Sequence, residues 1–127
     1  MGVNVPDSLK YTKTHEWVRI GDNSRAKVGI TDFAQHEITD IVHIELPEIG
    51  KQIKKGQPVA VIESVKSAFD IYAPLSGKII SANDSTLEIP EIVNKSPYGD
   101  GYLFTIEFDD EKEIEKLLSA DDYKKLI

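Results

Sequence analysis

Cysteine is absent from the 127-residue sequence, and methionine and tryptophan occur once each. Without cysteine the chain can form no disulfide framework, no thiolate nucleophile and no thiolate-containing metal site. Any sulfur chemistry must therefore come from a cofactor. The three histidines are too scattered for metal-ligand spacing, so the sequence predicts no metal site.

Long apolar runs and an excess of positive charge are also missing. No stretch approaches the ~20 apolar residues of a membrane span, and residues 1–10 lack the pattern of a targeting sequence. The formal net charge of -7 disfavours nucleic acid and membranes as partners and favours a partner with a basic face. We expect a cytoplasmic protein, or a mitochondrial matrix protein only if a presequence has been removed.

Short segments rich in β-branched residues recur along the chain, separated by turns that contain proline or glycine. The length suits a single domain over residues 1–127. The sequence therefore predicts a mainly β fold, with Trp17, Phe104 and Phe108 in its core. The predicted strands include residues 17–20, 26–30, 41–44 and 59–62.

One internal repeat stands out, because residues 44–53 match residues 71–80 in register. Each copy has the pattern of a strand, a Pro-x-x-Gly turn and a second strand. Two copies are too few for a solenoid, so we expect two pseudo-symmetric halves that close into a flattened β-barrel or sandwich. Since Pro-x-x-Gly is a common turn, chance similarity is the alternative.

Helical signals are short and few. Thr31 suits the cap of a short helix, and Pro90 suits the first position of a turn that runs through Val93. We expect both helices to be brief.

The C-terminal segment, residues 109–127, predicts one helix or a helix pair packed on the β body. Ser119 and the acidic residue three positions later resemble a capping box that opens a last turn. Tyr123 and Leu126 are predicted to be buried by this turn.

Residues 59–73 hold two apolar strand patterns joined by a polar centre, with Lys66 near the midpoint. This pattern predicts a β-hairpin with a lysine at its tip. Domains that carry lipoate or biotin in amide linkage present their acceptor lysine on such a turn. For the hairpin alone, an ordinary solvated turn lysine is the simpler interpretation.

Six segments, taken in order along the chain, resemble the H proteins of the glycine cleavage system. Each match alone is weak, but six in family order are specific. The resemblance implies a lipoyl/biotinyl-like fold for the whole chain. The matching segments are residues 11–18 (YTKTHEWV), 28–35 (VGITDFAQ), 42–47 (VHIELP), 63–66 (ESVK), 70–77 (DIYAPLSG) and 94–101 (NKSPYGDG).

The resemblance also implies which cofactor is bound. Biotinyl domains typically place methionine on both sides of the lysine, and the lipoyl domains of 2-oxo acid dehydrogenases usually place aspartate before it. Here Glu63, Ser64 and Val65 precede Lys66, which is the H-protein form. A lipoyl group on Lys66, with Glu63 and Val65 beside it, is therefore implied.

The implied function is that of a carrier without catalytic residues of its own. In the family, the lipoyl arm accepts an aminomethyl group from a pyridoxal-phosphate glycine decarboxylase. A tetrahydrofolate-dependent aminomethyltransferase then takes the group, and dihydrolipoamide dehydrogenase reoxidises the arm. A lipoate-attaching enzyme is the fourth implied partner.

A cleft that shelters the arm is implied as well, because the aminomethyl cargo is sensitive to water and carries a cationic amine. By family position its residues are Thr14, Glu16 and Asp70, which would hold the amine by charge-assisted hydrogen bonds. The alternative for these residues is an ordinary surface or strand role.

Several residues depart from the family pattern, among them Thr39 and Phe69. Tyr102 replaces a usual tryptophan, and Thr86 stands where the family has the leucine found here at Leu87. Thr39 stands where the family usually has glycine, so a positive φ is expected to be absent or strained there. Phe69 replaces a small residue, and it could line the cleft, shield the hairpin or alter partner selectivity. These departures leave two alternatives open: a lipoyl relay protein outside glycine catabolism, and an unmodified binding module.

Overall fold

Two antiparallel β-sheets face each other in the computed structural model, which describes residues 3–127. The larger sheet has the strand order β1-β2-β3-β9-β8-β5, and the smaller has the order β4-β6-β7. The predicted mainly β sandwich is confirmed. The strands are β1 (Lys10–Tyr11), β2 (Glu16–Ile20), β3 (Arg25–Ile30), β4 (Ile41–Glu45), β5 (Gln52–Ile53), β6 (Pro58–Ser64), β7 (Ala68–Tyr72), β8 (Gly77–Ala82) and β9 (Phe104–Phe108).

The helical segments are short and lie outside the sheets. They are α1 (Asp32–Ile38), α2 (Ser85–Glu88), α3 (Ile92–Lys95), a 3-10 helix (Glu111–Lys116) and α4 (Ala120–Lys124). No helix among residues 3–127 is both long enough and apolar enough to cross a membrane.

The internal repeat corresponds to two equivalent crossings between the sheets. Strands β4 and β7 flank β6 in the small sheet, and each is followed by a Pro-x-x-Gly turn. After the turns, β5 and β8 pair with each other in the large sheet. The two copies therefore form the halves of one sandwich.

The core fills the space between the sheets, and its buried positions alternate along β6 and β9. Val28 on β3, Phe104 and Ile106 on β9, and Ile62 on β6 are fully buried. Phe108, which the sequence predicts to lie in the core, is also buried, at 7% exposure.

A second apolar cluster joins the C-terminal segment to the edge of the large sheet. It contains Tyr11, Trp17 and Tyr123, none of which has measurable solvent exposure. The Trp17 indole N–H donates to the carbonyl of Pro97 at 2.9 Å. The C-terminal helical segment is thus part of the folded body, and the prediction that Trp17 is core is confirmed.

Two predicted helix starts are confirmed by their caps. The Thr31 hydroxyl accepts from the backbone N–H of Ala34, and the Ser119 hydroxyl accepts from that of Asp122. The helix expected to begin at Pro90 instead begins at Ile92. Pro90 belongs to the preceding turn, and the Pro90 carbonyl accepts from the N–H of Val93.

The prediction that Leu126 is buried is wrong, since its side chain is 53% exposed. Helix α4 ends at Lys124, so the helical phase that placed Leu126 on the apolar face does not continue. Tyr123, one turn earlier, is buried as predicted.

Thr39 retains the backbone conformation for which glycine is favoured, with φ 68° and ψ -146°. This conformation costs a β-branched residue about 1–3 kcal/mol. Asn94 holds it, because its side-chain amide donates to the Thr39 carbonyl at 2.8 Å and its oxygen accepts from the N–H of Ile41. The expected strain at this departure is therefore present.

Gly29 on β3 offers a test of the packing around Trp17. A Cβ at Gly29 would lie 2.7 Å from three atoms of the buried indole. The ring cannot move away without losing its bond to Pro97. We expect Gly29→Ala to lower the free energy of unfolding by about 2 kcal/mol, the usual cost of overpacking a core, as measured by urea denaturation.

Gly21→Ala is the matched control, because a Cβ there would meet only the carbonyl oxygen of Arg25 at 3.6 Å. It should change the free energy of unfolding by less than about 0.5 kcal/mol. Equal urea midpoints for the two variants would contradict this description of the packing.

Candidate functional site

Lys66 lies at the tip of the hairpin formed by β6 and β7. Glu63 pairs with Ala68 in the last register position, and the N–H of Ser64 donates to the carbonyl of Ser67 at 2.8 Å. The Lys66 side chain is exposed and takes part in none of the ion pairs found among residues 3–127. The tip therefore presents an amine that makes no competing ion pair.

Ser64 shapes this tip, a role that the sequence analysis missed. Its buried hydroxyl oxygen accepts from the N–H groups of Lys66 and Ser67, each at 3.2 Å. The N–H of Val65 donates to the carbonyl of Asp40 in the neighbouring loop at 3.2 Å. A serine two residues before a turn residue is a known signal for such a side-chain-stabilised turn.

The two residues predicted to flank the cofactor differ in their surroundings. Val65 is 64% exposed at the tip, whereas Glu63 is half-buried and faces His43, with 3.8 Å between the carboxylate and the ring nitrogen. His43, Glu45 and Glu63 have ligand atoms within 4.8 Å of one another. Exposed groups of this kind are common without an ion, so the cluster carries no metal assignment.

A partly open cavity of about 260 Å³ lies beside β7, between α1 and the turn that joins β1 to β2. Its polar and aromatic lining includes Thr14, Phe33, Glu37, Phe69 and Asp70. Two of the three predicted cleft residues, Thr14 and Asp70, are thus brought together. Phe69 lines the cavity too, which is one of the three roles considered for it. The remaining lining residues are His15, Ile30, Ala34, Ile38 and Ile71.

Glu16, the third predicted cleft residue, does not line this cavity. It is 1% exposed and lies behind Thr14. The hydroxyls of Thr12 and Thr14 both donate to Oε1 at 2.5 Å, and the N–H of Tyr72 donates to Oε2 at 3.2 Å. Burial raises the pKa of the Glu16 carboxyl, although these hydrogen bonds act in the opposite direction.

The bond from Thr14 to Glu16 determines what Thr14 can offer to the cavity. Its single hydroxyl proton is given to the carboxylate, so its oxygen lone pairs are left as acceptors. Glu16 therefore orients Thr14 as an acceptor, and Asp70 supplies a carboxylate at the same cavity.

The hairpin tip and the cavity are joined by β7. Asp70 follows Lys66 by four residues, which corresponds to about 13 Å along an extended strand. A larger groove of about 580 Å³ beside Arg19 and Lys27 shares no residue with the hairpin. The smaller cavity is therefore the better candidate for a group attached to Lys66.

The raised pKa of Glu16 predicts a pH dependence of stability. Between pH 4.5 and the raised pKa, the folded protein holds a proton that the unfolded chain has released. The wild-type free energy of unfolding should therefore rise, relative to that of Glu16→Gln, as the pH falls through this window. Urea denaturation of both proteins from neutral pH to about 4.5 measures the difference.

In Glu16→Gln the bond from Tyr72 is lost, which lowers the free energy of unfolding by an amount that does not change with pH. Only the slope of the stability difference against pH is therefore diagnostic. Matching circular dichroism spectra at neutral pH would establish that both proteins share one fold. Parallel stability curves for the two proteins would contradict a carboxyl whose pKa is raised by burial.

The sequence is similar to known proteins over nearly its whole length. The sequence profile of the family described as "Glycine cleavage H-protein" matches residues 9–127. A glycine cleavage system H protein of Endomicrobium trichonymphae is 72% identical over 125 residues, covering 98% of this chain and 100% of the relative. One from Thermotoga maritima is 53% identical over 116 residues, covering 91% and 93% of the two chains.

The solved structures agree as well. The crystal structure of a glycine cleavage system H protein from Mycobacterium marinum superposes with a TM-score of 0.89 at 31% identity. The match covers 95% of this chain and 97% of the other. Profile, relatives and structure together establish that the chain belongs to the glycine cleavage H-protein family.

Proposed function

We propose that this chain carries a lipoyl group in amide linkage to Lys66 and acts as a carrier, not a catalyst, in the glycine cleavage system. The observation that carries the proposal is the exposed Lys66 side chain on a hydrogen-bonded hairpin tip, in a chain of this family. Within the described part of the chain, this side chain forms no ion pair. The bacterial relatives favour the cytoplasm as the place where it acts.

Attachment to Lys66 is favoured by the way in which the tip is built. The backbone around the lysine is fixed by Ser64 and by the bond from Val65 to Asp40, while the amine extends into solvent. A lipoate-attaching enzyme would meet a rigid turn with one reactive amine. The exposed Val65 and the half-buried Glu63 are the side chains beside it that such an enzyme would contact.

The cavity beside β7 fits the arm in length and chemistry. A lipoyl-lysine side chain has about a dozen bonds between Cα and the ring, so it reaches ~14 Å when extended. The attached dithiolane supplies the disulfide that takes up the aminomethyl cargo. Phe33, Phe69 and Ile71 would exclude water from an apolar arm, as the sensitivity of the cargo requires.

The polar lining of the cavity suits the amine of the cargo, which is cationic near neutral pH. Thr14 offers hydroxyl lone pairs, and Asp70 and Glu37 offer carboxylates, so a primary ammonium would find charge-assisted acceptors there. In this proposal Glu16 acts indirectly, by orienting Thr14 and by tying β7 to the turn that carries it.

The partners in this proposal are the enzymes that load, unload and reoxidise the arm. They are a pyridoxal-phosphate glycine decarboxylase, a tetrahydrofolate-dependent aminomethyltransferase and dihydrolipoamide dehydrogenase. The net charge of -7 favours partner surfaces that are basic around their active-site entrances.

Intact mass spectrometry of the protein co-expressed with a lipoate ligase tests the attachment site. We expect wild type to gain the mass of one lipoyl group and Lys66→Arg to gain none, because a guanidinium keeps the charge but cannot be acylated in this way. Lys55→Arg, in the exposed turn at the opposite end of β6, is the matched control and should be modified like wild type.

An adduct that persists in Lys66→Arg would show that another amine is the acceptor. An unmodified wild type would remove the lipoyl function and favour a binding module. A modified protein that does not exchange glycine carbon with the decarboxylase would favour a lipoyl relay.

A further inference from the structure

His15 lines the cavity and belongs to a hydrogen-bond chain that the proposed function does not use. Its Nδ1 lies 2.8 Å from the hydroxyl of Tyr123, which in turn lies 2.7 Å from the hydroxyl of Thr31. The imidazole also packs against Phe33, with 4.9 Å between the ring centroids. Helix α4 thereby reaches a wall of the cavity from the far end of the chain.

The direction of the protons in this chain follows from burial. Thr31 and Tyr123 have no solvent exposure, and the Thr31 oxygen already accepts from the N–H of Ala34. Among residues 3–127, the Tyr123 oxygen is the acceptor within reach of the Thr31 hydroxyl proton. Thr31 therefore donates to Tyr123, and Tyr123 donates to Nδ1 of His15. The neutral ring must then carry its proton on Nε2.

Protonation of His15 would break this arrangement. A proton on Nδ1 turns the ring into a donor toward Tyr123, and the buried phenol proton then loses its acceptor. Burial raises the pKa of Tyr123 to about 12, so the phenol keeps its proton. Burial also lowers the pKa of His15, while the charge of Glu37 acts in the opposite direction.

The charged groups around His15 are unevenly distributed. Glu37 from α1 and Asp70 from β7 line the same cavity, and Tyr123 from α4 bonds to the ring. Lys13, in the same turn as His15, is exposed and is not part of the lining. Among the residues that the structure describes, the cavity lining thus has two carboxylates and no cation while His15 is uncharged.

We infer that His15, which Thr31 and Tyr123 hold as the uncharged Nε2–H tautomer, is a specificity-determining residue of the cavity. Its uncharged ring lets the cavity hold an apolar arm that ends in a primary ammonium. This inference rests on the proposed function. Acid that charges the ring places an imidazolium beside the ammonium, and the repulsion expels the head group from Glu37 and Asp70. Tyr123 and Thr31 are positioning residues in this arrangement.

Nitrogen NMR of the His15 ring in the unlipoylated, full-length protein tests the tautomer. We expect Nε2 to carry the proton and the ring to titrate below its ordinary pKa of 6.5. Tyr123→Phe removes the donor to Nδ1, so the ring should populate both tautomers and its pKa should rise relative to wild type. Tyr98→Phe is the control, since its hydroxyl bonds Asn4 and Asp32 instead of His15.

The pH profile of cargo retention in the lipoylated, aminomethyl-loaded protein tests the role. His15→Asn is the sharpest variant, because its side-chain oxygen can replace Nδ1, it cannot become charged, and asparagine tolerates the φ of 72° found here. As the pH falls from about 8 to 5, we expect wild type to lose cargo faster because His15 is protonated. His15→Asn should lack this acid limb, that is, the rise in the rate of cargo loss at low pH. Tyr123→Phe should lose cargo at a higher pH than wild type.

A proton on Nδ1 at neutral pH, a His15 pKa unchanged in Tyr123→Phe, or an acid limb that persists in His15→Asn would each overturn the inference. Failure of the proposed function has a different signature. It would appear as the absence of a lipoyl adduct on Lys66, while the ring measurements on unlipoylated protein would still report the tautomer. A locked tautomer without an adduct would therefore contradict only the role in holding cargo.

Discussion

The buried carboxylate of Glu16 is the constraint on which the cavity depends. One of its oxygens holds the turn that carries Thr14, and the other holds the backbone of Tyr72 in the opposite sheet. Burying this charge costs free energy. A buried donor that lost the carboxylate as its acceptor would cost about 1–3 kcal/mol. The sandwich tolerates the charge because all three donors converge on it. The same bonds fix the separation between the β1–β2 turn and β7, two of the elements that bound the cavity.

The C-terminal helix completes this construction from the other side. Tyr123 stacks on Tyr11 with 4.8 Å between ring centroids and bonds to both His15 and Thr31. One residue thereby joins β1, the β1–β2 turn and the cap of α1. The segment beyond the sandwich is thus tied to the geometry of the cavity as well as to the stability of the fold, while the hairpin tip with Lys66 is fixed separately by Ser64.

The sequence was sufficient for features that depend on local patterns. Strand alternation, the hairpin and the capping of α1 by Thr31 all follow from residues close together in the chain. Features that depend on distant residues could not be derived in the same way. The bond between His15 and Tyr123 spans 108 positions, and the burial of Glu16 depends on a backbone N–H 56 positions away. Leu126 was misplaced because helical periodicity does not reveal where a helix ends.

Proton–nitrogen NMR spectra of the full-length protein with and without its lipoyl group test the central claim, that the arm from Lys66 is sheltered in the cavity beside β7. We expect lipoylation to shift the backbone amide signals of Thr14, Phe33 and Asp70, which line that cavity, in addition to those at the hairpin tip. Shifts confined to residues 64–67 would contradict it, because they would mean that the attached arm stays in solvent.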